Sequence, residues 1–361
     1  MFEIRVIHLY AAKVVIMSDA IRLGFSVGDI NGIGLEVLLK TFSDNRMFKS
    51  CIPILYASNK VVAYHKKALN IEQANFQSIQ QAQDAKAKQI NVITSWDGDV
   101  QITLGQPDAA VGKFAVHSLN AAMHDLKEGH IDGLVTLPIN KDVISGDDFP
   151  YKGHTEFVRD RLGAAESLMF LVSEQLRVGL VTNHLSVAEI AASITEEAIL
   201  KKTRIMAKSL TLDFGIEKPK IAVLGLNPHA GDNGLIGEED KTIISGAIQK
   251  LKEEGIMAIG PYPSDGFFGM RQYKKFDGVL AMYHDQGLIP FKMISFEDGV
   301  NYTAGLPAVR TSPDHGTAYD IAGQGIASEA SLRNAIFLAI DVVRRRQVHT
   351  SPPPSVESTA E

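Results

Sequence analysis

A single cysteine, Cys51, in 361 residues leaves no intrachain disulfide to be made and no thiolate cage for a metal. That fits a reducing compartment and makes the cytoplasm the default location. Basic charge is not in excess either: 36 Lys and Arg stand against 42 Asp and Glu, a net charge of −6. Nucleic-acid binders carry a basic stripe that displaces counterions, so no nucleic-acid partner is expected. The one basic cluster, Arg344-Arg345-Arg346, closes an apolar-periodic stretch and is read as complementing a helix dipole. No uncharged apolar run approaches the ~20 residues that cross a bilayer, so no membrane span is expected. The apolar start, residues 1–16, fails as a signal peptide: Glu3 sits in the n-region, Lys13 interrupts the h-region, and no small-x-small site follows. With Met17 standing just before the first clean strand, it is expected to be an extension outside the fold. The end of the chain, 349–361, is rich in Ser and Pro without apolar period and is expected to be a disordered tail.

What is present is core material, 45% apolar residues, in a chain long enough for two domains or one large two-lobed unit rather than a single full-length sheet. Short apolar runs at 21–27, 51–57, 90–94, 132–138, 177–183, 220–227 and 277–284 read as buried strands. Amphipathic stretches at 109–129, 195–213, 237–254 and 328–346 are long enough for crossover helices. The alternation predicts an α/β fold with mainly parallel sheets. Loop-forming residues between Asn140 and Gly153, and again near Gly305 to Pro307, suggest two crossings between lobes with a cleft between them. The first lobe would take 17–148 plus 305–348, the second 149–304.

Ligands of open α/β sheets sit beyond the carboxyl ends of strands, so polar residues following the apolar runs are the informative ones. His184, His229 and His284 each follow a strand directly, and three neutral imidazoles with an open position make a catalytic metal site of the zinc kind. Asp232 and Asp285 stand near enough in sequence to orient two of the imidazoles. The competing reading is that each histidine merely satisfies a carbonyl at a strand end. Lys292, Asn301, Arg310 and the pair His154-Thr155 supply the cationic and hydroxyl donors that a phosphate requires, or else are solvated surface. GDINGIGLE (28–36) lacks the G-x-G-x-x-G spacing, so its glycines are expected to serve a tight turn and close packing.

The segment SPDHGTAYDIAGQGIA (312–327) resembles the loop by which isocitrate and isopropylmalate dehydrogenases hold the adenosine part of NAD. Together with GDINGIGLE, TLPINK, GHTE, LNPHAGDNG and YHDQGLIPFK, it makes the chain similar, from about Ile21 to Arg346, to the 4-hydroxythreonine-4-phosphate dehydrogenase family of vitamin B6 biosynthesis. The resemblance implies a two-lobed isocitrate/isopropylmalate dehydrogenase-like fold, with the cofactor on the first lobe and the metal, substrate and dimer contacts on the second. It implies one divalent cation (zinc, magnesium or cobalt) on His184, His229 and His284 in a site shared across a homodimer, with His284 approaching from the partner. Substrate contacts would be His154, Thr155, Lys292, Asn301 and Arg310. NAD or NADP would be held by His315, Gly316, Thr317, Ala318 and Asp320. The chain departs from the family at Ile30, Leu35, Tyr302 and Pro313, none of them in these sets.

The implied reaction oxidises the secondary alcohol of 4-phosphooxy-L-threonine and then loses CO₂. Asp265 and Asp285 are candidate proton acceptors. A threonate or erythronate 4-phosphate is the rival substrate, and Asp232, Asp265 and Asp285 would favour the amine over the alcohol by making the pocket anionic. From the residues alone, a metal hydrolase acting on a phosphoester and a non-catalytic phosphometabolite sensor stay open; only a dehydrogenase has use for the adenosine loop.

Overall fold

In the computed structural model, which describes residues 20–146 and 148–350, the strands run in chain order β1 Arg22–Ser26, β2 Ile52–Ala57, β3 Phe76–Ile79, β4 Ile90–Thr94, β5 Gly133–Thr136, β6 Leu168–Val172, β7 Arg177–Leu180, β8 Lys220–Leu224, β9 Met257–Tyr262, β10 Gly278–Ala281, β11 Val300–Ala304 and β12 Val309–Pro313. They form one 12-stranded sheet in the order β3-β4-β2-β1-β5-β12-β11-β6-β7-β10-β8-β9. Pairing is parallel from β3 to β12 and again from β7 to β9. It is antiparallel where β12, β11, β6 and β7 meet.

The α/β class and the mainly parallel pairing are those the apolar alternation predicts. A single continuous sheet was the less favoured outcome, and its cause lies in β11 and β6, which pair antiparallel and join the two parallel halves edge to edge. One half is built from strands before residue 149 and after 305, the other from strands between them. Within the stretch from Asn140 to Gly153, where composition suggests only loop, the described residues include regular and buried structure. The stretch carries a short helix, Lys141–Ile144, and Phe149, fully buried and stacked on Phe157 at 5.3 Å.

The two long helices that precede the last one begin where the sequence supplies acceptors for their free N–H groups. Asp108 caps Ala109–Lys127 through the Ala110 N–H, and Thr195 caps Glu196–Leu212 through the Ala198 N–H. In the first of these, the Ser118 hydroxyl accepts from Val27 N–H at 2.8 Å and donates to the Tyr56 carbonyl at 2.6 Å, tying helix to sheet. The final helix, Ala330–Thr350, buries Leu332, Ala335, Ile336, Ala339, Ile340 and Val343 on β12, β5 and β11. It continues through His349 and Thr350, where the tail was expected to have begun. Residues 351–361, like the expected extension 1–16, lie outside the described residues.

The basic cluster on that helix does more than meet a dipole. Arg346 Nε donates to Asp213 Oδ1 at 2.7 Å, the buried Tyr302 hydroxyl donates to Asp213 Oδ2 at 2.6 Å, and Arg345 Nη1 donates to the Asp213 carbonyl at 2.9 Å. Removing the carboxylate from a buried charge pair typically costs about 3–5 kcal/mol, so Asp213→Ala is expected to lower unfolding stability by that order in urea titration. A loss under about 1 kcal/mol would show the network to be ornamental.

The glycine turn after β1 does what its spacing suggests. Gly28 has φ +67, and a Cβ there would lie 2.3 Å from the Pro138 carbonyl oxygen; one at Gly32 would lie 2.8 Å from that of Thr317. Ile33 N–H donates to the Thr317 carbonyl at 3.0 Å, and the Tyr319 hydroxyl donates to buried Asp29, so the turn grips the 315–320 loop. His65 secures the turn from behind, its Nε2 donating to the Ile30 carbonyl at 2.8 Å. Burial holds this imidazole down to about 4. Above about pH 6.5 both folded and unfolded chains are neutral here; between 6.5 and 4 only the unfolded chain takes the proton, so stability falls with falling pH. The difference amounts to about 3 kcal/mol. Denaturation curves from pH 7 to 4 are expected to show a smaller loss in His65→Gln, whose amide can still donate to Ile30; parallel curves would contradict this.

Candidate functional site

Loops at the carboxyl ends of strands converge on one cavity of about 240 Å³. β5 leads into Thr136 to Lys141, β7 into His184, and β12 into Asp314 to Gly316, while Asn301 and Arg310 contribute from β11 and β12 themselves. Gly153 to Glu156 enter on the first turn of the helix His154–Arg161, which Phe157 and Val158 anchor in the core. Of the residues singled out from sequence, the cavity unites His154, Thr155, His184, Asn301, Arg310, His315 and Gly316.

Arg310 dominates its electrostatics. The side chain is only 2% exposed, and its partners are hydroxyls: Nε and Nη2 donate to Thr136 Oγ1 at 3.1 and 2.5 Å, Nη1 to Thr303 Oγ1 at 3.1 Å. Among the described residues it forms no salt bridge. Burial pulls it down to about 10, with Glu156 opposing, so it remains charged at neutral pH. Beside it, burial and then Arg310 and Lys141 hold the His154 imidazole well below its usual range, so His154 is neutral. Asn301 Oδ1 and His315 Nε2 are buried without hydrogen-bond partners, and His315 is kept neutral by its burial. A buried cation answered only by hydroxyls is a place built for an anion from outside, while the unpartnered Asn301 Oδ1 and His315 Nε2, both acceptors, are left for donor groups of a ligand.

The histidine rings at 184 and 284 lie 5.7 Å apart, centroid to centroid, in the same copy of the chain. Burial, then Lys141, lowers the pKa of His184, and its Nε2 faces the Lys141 ammonium at 3.4 Å. His284 Nδ1 donates to Asp285 Oδ1 at 2.7 Å, which leaves its Nε2 for another partner. Two imidazoles placed side by side in this way fit a divalent cation. They supply two ligands, and among the described residues no three His, Cys, Asp or Glu side chains of one copy lie close enough to hold a metal. The sequence expectation puts His184 and His229 on one copy with His284 arriving from the other; the structure sets the His184 and His284 rings side by side within one copy and leaves His229 apart from them. His229 lies exposed in the turn Pro228–Gly234, where His229, Ala230, Asp232 and Asn233 all have φ between +43 and +56. Left-handed backbone costs roughly 1–2 kcal/mol per such residue, and it is held here by Asp240, which accepts from Leu226 and Asn227 N–H.

Other expected residues are less central. Lys292 stands outside the cavity lining, 3.9 Å from Asp314, which does line it. Thr317, Ala318 and Asp320 lie beyond the lining in the loop gripped by the glycine turn. Asp265 is exposed on the first turn of Ser264–Gly269, Asp232 is exposed beside His229, and Asp285 is committed to His284. None of these three lines the cavity; the carboxylates that do are Glu156 and Asp314. Lys141 and Glu156 were missed as individuals although the quoted motifs TLPINK and GHTE contain them. Thr136 carried no signal of its own.

The chain matches the family described as pyridoxal phosphate biosynthetic protein PdxA over residues 49–339. It is 54% identical over 330 residues to the 4-hydroxythreonine-4-phosphate dehydrogenase of Bacteroides thetaiotaomicron, covering 91% of this chain and 90% of that protein. A protein of Oceanobacillus iheyensis provisionally named D-threonate 4-phosphate dehydrogenase is 36% identical, with 90% and 99% covered. Among solved structures, 4-hydroxythreonine-4-phosphate dehydrogenase of Klebsiella pneumoniae superposes with a TM-score of 0.79 at 33% identity, over 91% of this chain and 98% of that one.

Proposed function

The chain belongs to the family of the pyridoxal phosphate biosynthetic protein PdxA, and from that premise we propose that it oxidises 4-phosphooxy-L-threonine with NAD⁺ or NADP⁺ and decarboxylates the product to 3-amino-2-oxopropyl phosphate. The observation that carries this reading is Arg310, a charged guanidinium 2% exposed in a cavity, to which no carboxylate of the described residues is bonded. The substrate's phosphate supplies the missing charge, with His154, Thr155, Asn301 and, from the rim, Lys292 as further contacts. Bound there, the phosphate is a remote handle whose binding energy fixes the carbon chain against the cofactor.

In the reaction, the C3 hydride leaves for the nicotinamide and the C3 hydroxyl loses its proton; C1 then departs as CO₂ and C2 is reprotonated. His315, Gly316, Thr317, Ala318 and Asp320 are the proposed cofactor contacts, on a loop that Gly32 and Asp29 hold in place. A divalent cation, whether zinc, magnesium or cobalt, on His184, His284 and His229 would supply Lewis acidity for both steps. Asp285 is favoured as the group that orients His284. The exposed position of Asp265 leaves its use as a proton acceptor dependent on a second copy of the chain.

A second copy is favoured for two reasons. His229 is separated from the other two histidines, and the outer face of the helix His284–Ser295 presents exposed Ile289 and Met293, followed by exposed Phe296. A homodimer would cover that face and bring His229 of one copy to His184 and His284 of the other.

The experiment is to follow reduced nicotinamide with 4-phosphooxy-L-threonine and with threonate 4-phosphate, the substrate suggested by the name of the Oceanobacillus relative. Preference for the amino substrate is expected. Tenfold or greater preference for the sugar acid overturns the substrate, and no reduction with either overturns the reading.

A further inference from the structure

An ammonium entering this cavity meets an unfavourable field. Arg310 and Lys141 line it, Lys292 stands at its rim, and the proposed substrate carries its C2 ammonium into the midst of the groups that hold its two anionic ends. Only two carboxylates of the described residues line the cavity, and they are differently engaged. Asp314 has a 10% exposed side chain, sits 3.9 Å from Lys292, and is pushed toward its neutral form by burial. The Glu156 carboxylate forms no hydrogen bond or salt bridge among the described residues. It nevertheless stands where both Arg310 and His184 feel its charge, one residue beyond His154 and Thr155. Its Oε2 lies over Gly153 with the Lys141 side chain: a Cβ built at Gly153 would be 3.7 Å from Glu156 Oε2 and 3.5 Å from Lys141 Cε.

We propose that Glu156 is the specificity-determining residue of this site, accepting a hydrogen bond from the substrate's C2 ammonium and thereby selecting the amino acid over the 2-hydroxy acid of the same length. The inference rests on the substrate reading above and adds the residue that enforces it. The charges follow the same direction. Threonate 4-phosphate differs from the amino substrate by one positive charge, so an anionic Glu156 attracts the one and disfavours the other. A hydroxyl can be satisfied by neutral groups; an ammonium held among cations needs a counter-charge.

The test uses Glu156→Gln, which keeps the side chain's shape and removes its charge. The ratio of kcat/KM for 4-phosphooxy-L-threonine over threonate 4-phosphate is expected to fall about 10–150-fold, the range of one hydrogen bond to a charged group. Glu156→Asp, shorter but anionic, should retain part of the ratio. Calorimetric titration of both compounds into the protein without nicotinamide should show the same selective loss, so the proposal remains testable if turnover is absent. Equal losses for both compounds would mean that Glu156 serves a group they share, and an unchanged ratio would mean that it reads neither; either result overturns the proposal. The proposed substrate is judged by the wild type alone, whereas Glu156 is judged by the change in ratio, so the two can fail separately.

Discussion

Protomers carrying His184→Ala mixed with protomers carrying His284→Ala are expected to stay inactive, while His229→Ala mixed with His284→Ala recovers turnover. The asymmetry follows from the 5.7 Å between the rings of His184 and His284 within one copy, with His229 on a separate strained turn. If each site takes two histidines from one chain and the third from its neighbour, a heterodimer of the second kind contains one intact site, and a heterodimer of the first kind contains none. Each homodimeric variant alone should lose activity by orders of magnitude, since even partners that merely orient a metal ligand are worth roughly 10–100-fold. Metal retained after dialysis gives a readout independent of catalysis: about half the wild-type content is expected in the heterodimers that recover, and little in the others. Recovery in the mixture of His184→Ala and His284→Ala would restore the arrangement in which His284 comes from the partner. No recovery in any mixture would place all three ligands on one chain.

The sequence was most legible where strands are apolar throughout. β1, β2, β4, β5, β7, β8 and β10 all fall within runs read as buried strands. β11 and β12 escaped because residues 300–304 and 309–313 include Asn301, Thr303, Arg310 and Ser312, polar groups that sit in or under the site, and Thr311, whose hydroxyl donates to the Ala335 carbonyl of the final helix. A pattern that equates strand with hydrophobic run misses the strands that carry the chemistry. β3 and β9 were missed for a different reason: they are the two edges of the sheet and are only partly buried, so their patterns are diluted. β6, LMFLV, is wholly buried and is missing from the runs read as strands although its apolar pattern offered the signal. The same division runs through the site. Histidines and Arg310 stood out by residue type, whereas Glu156 and Lys141 are common surface residues whose significance comes from facing Arg310 and His184. Asp232, Asp265 and Asp285 were chosen for nearness to motifs in the chain, and nearness in sequence does not bring a carboxylate into the cavity.

Arg310→Met is expected to strengthen the fold while it disables the enzyme. In the wild type the guanidinium is 2% exposed and answered by Thr136 and Thr303 hydroxyls, so the protein without substrate bears most of the cost of a buried charge. Burial pulling its pKa down to about 10 expresses the same penalty. Methionine fills similar space without charge, and replacing buried ions by apolar residues of like volume is commonly neutral or stabilising by about 1–4 kcal/mol. The urea midpoint should therefore hold or rise. At the same time, losing the charged hydrogen bonds to phosphate should lower kcat/KM for 4-phosphooxy-L-threonine by about 10–150-fold at least. Unphosphorylated 4-hydroxythreonine separates the causes: the wild type should favour the phosphorylated compound strongly, and the variant should have lost most of that preference. Were Arg310 instead a clasp joining β5, β11 and β12, the methionine variant would lose stability by several kcal/mol and retain the preference in whatever fraction stays folded. Opposite movements of stability and phosphate selectivity are what a site kept under strain for its ligand must give.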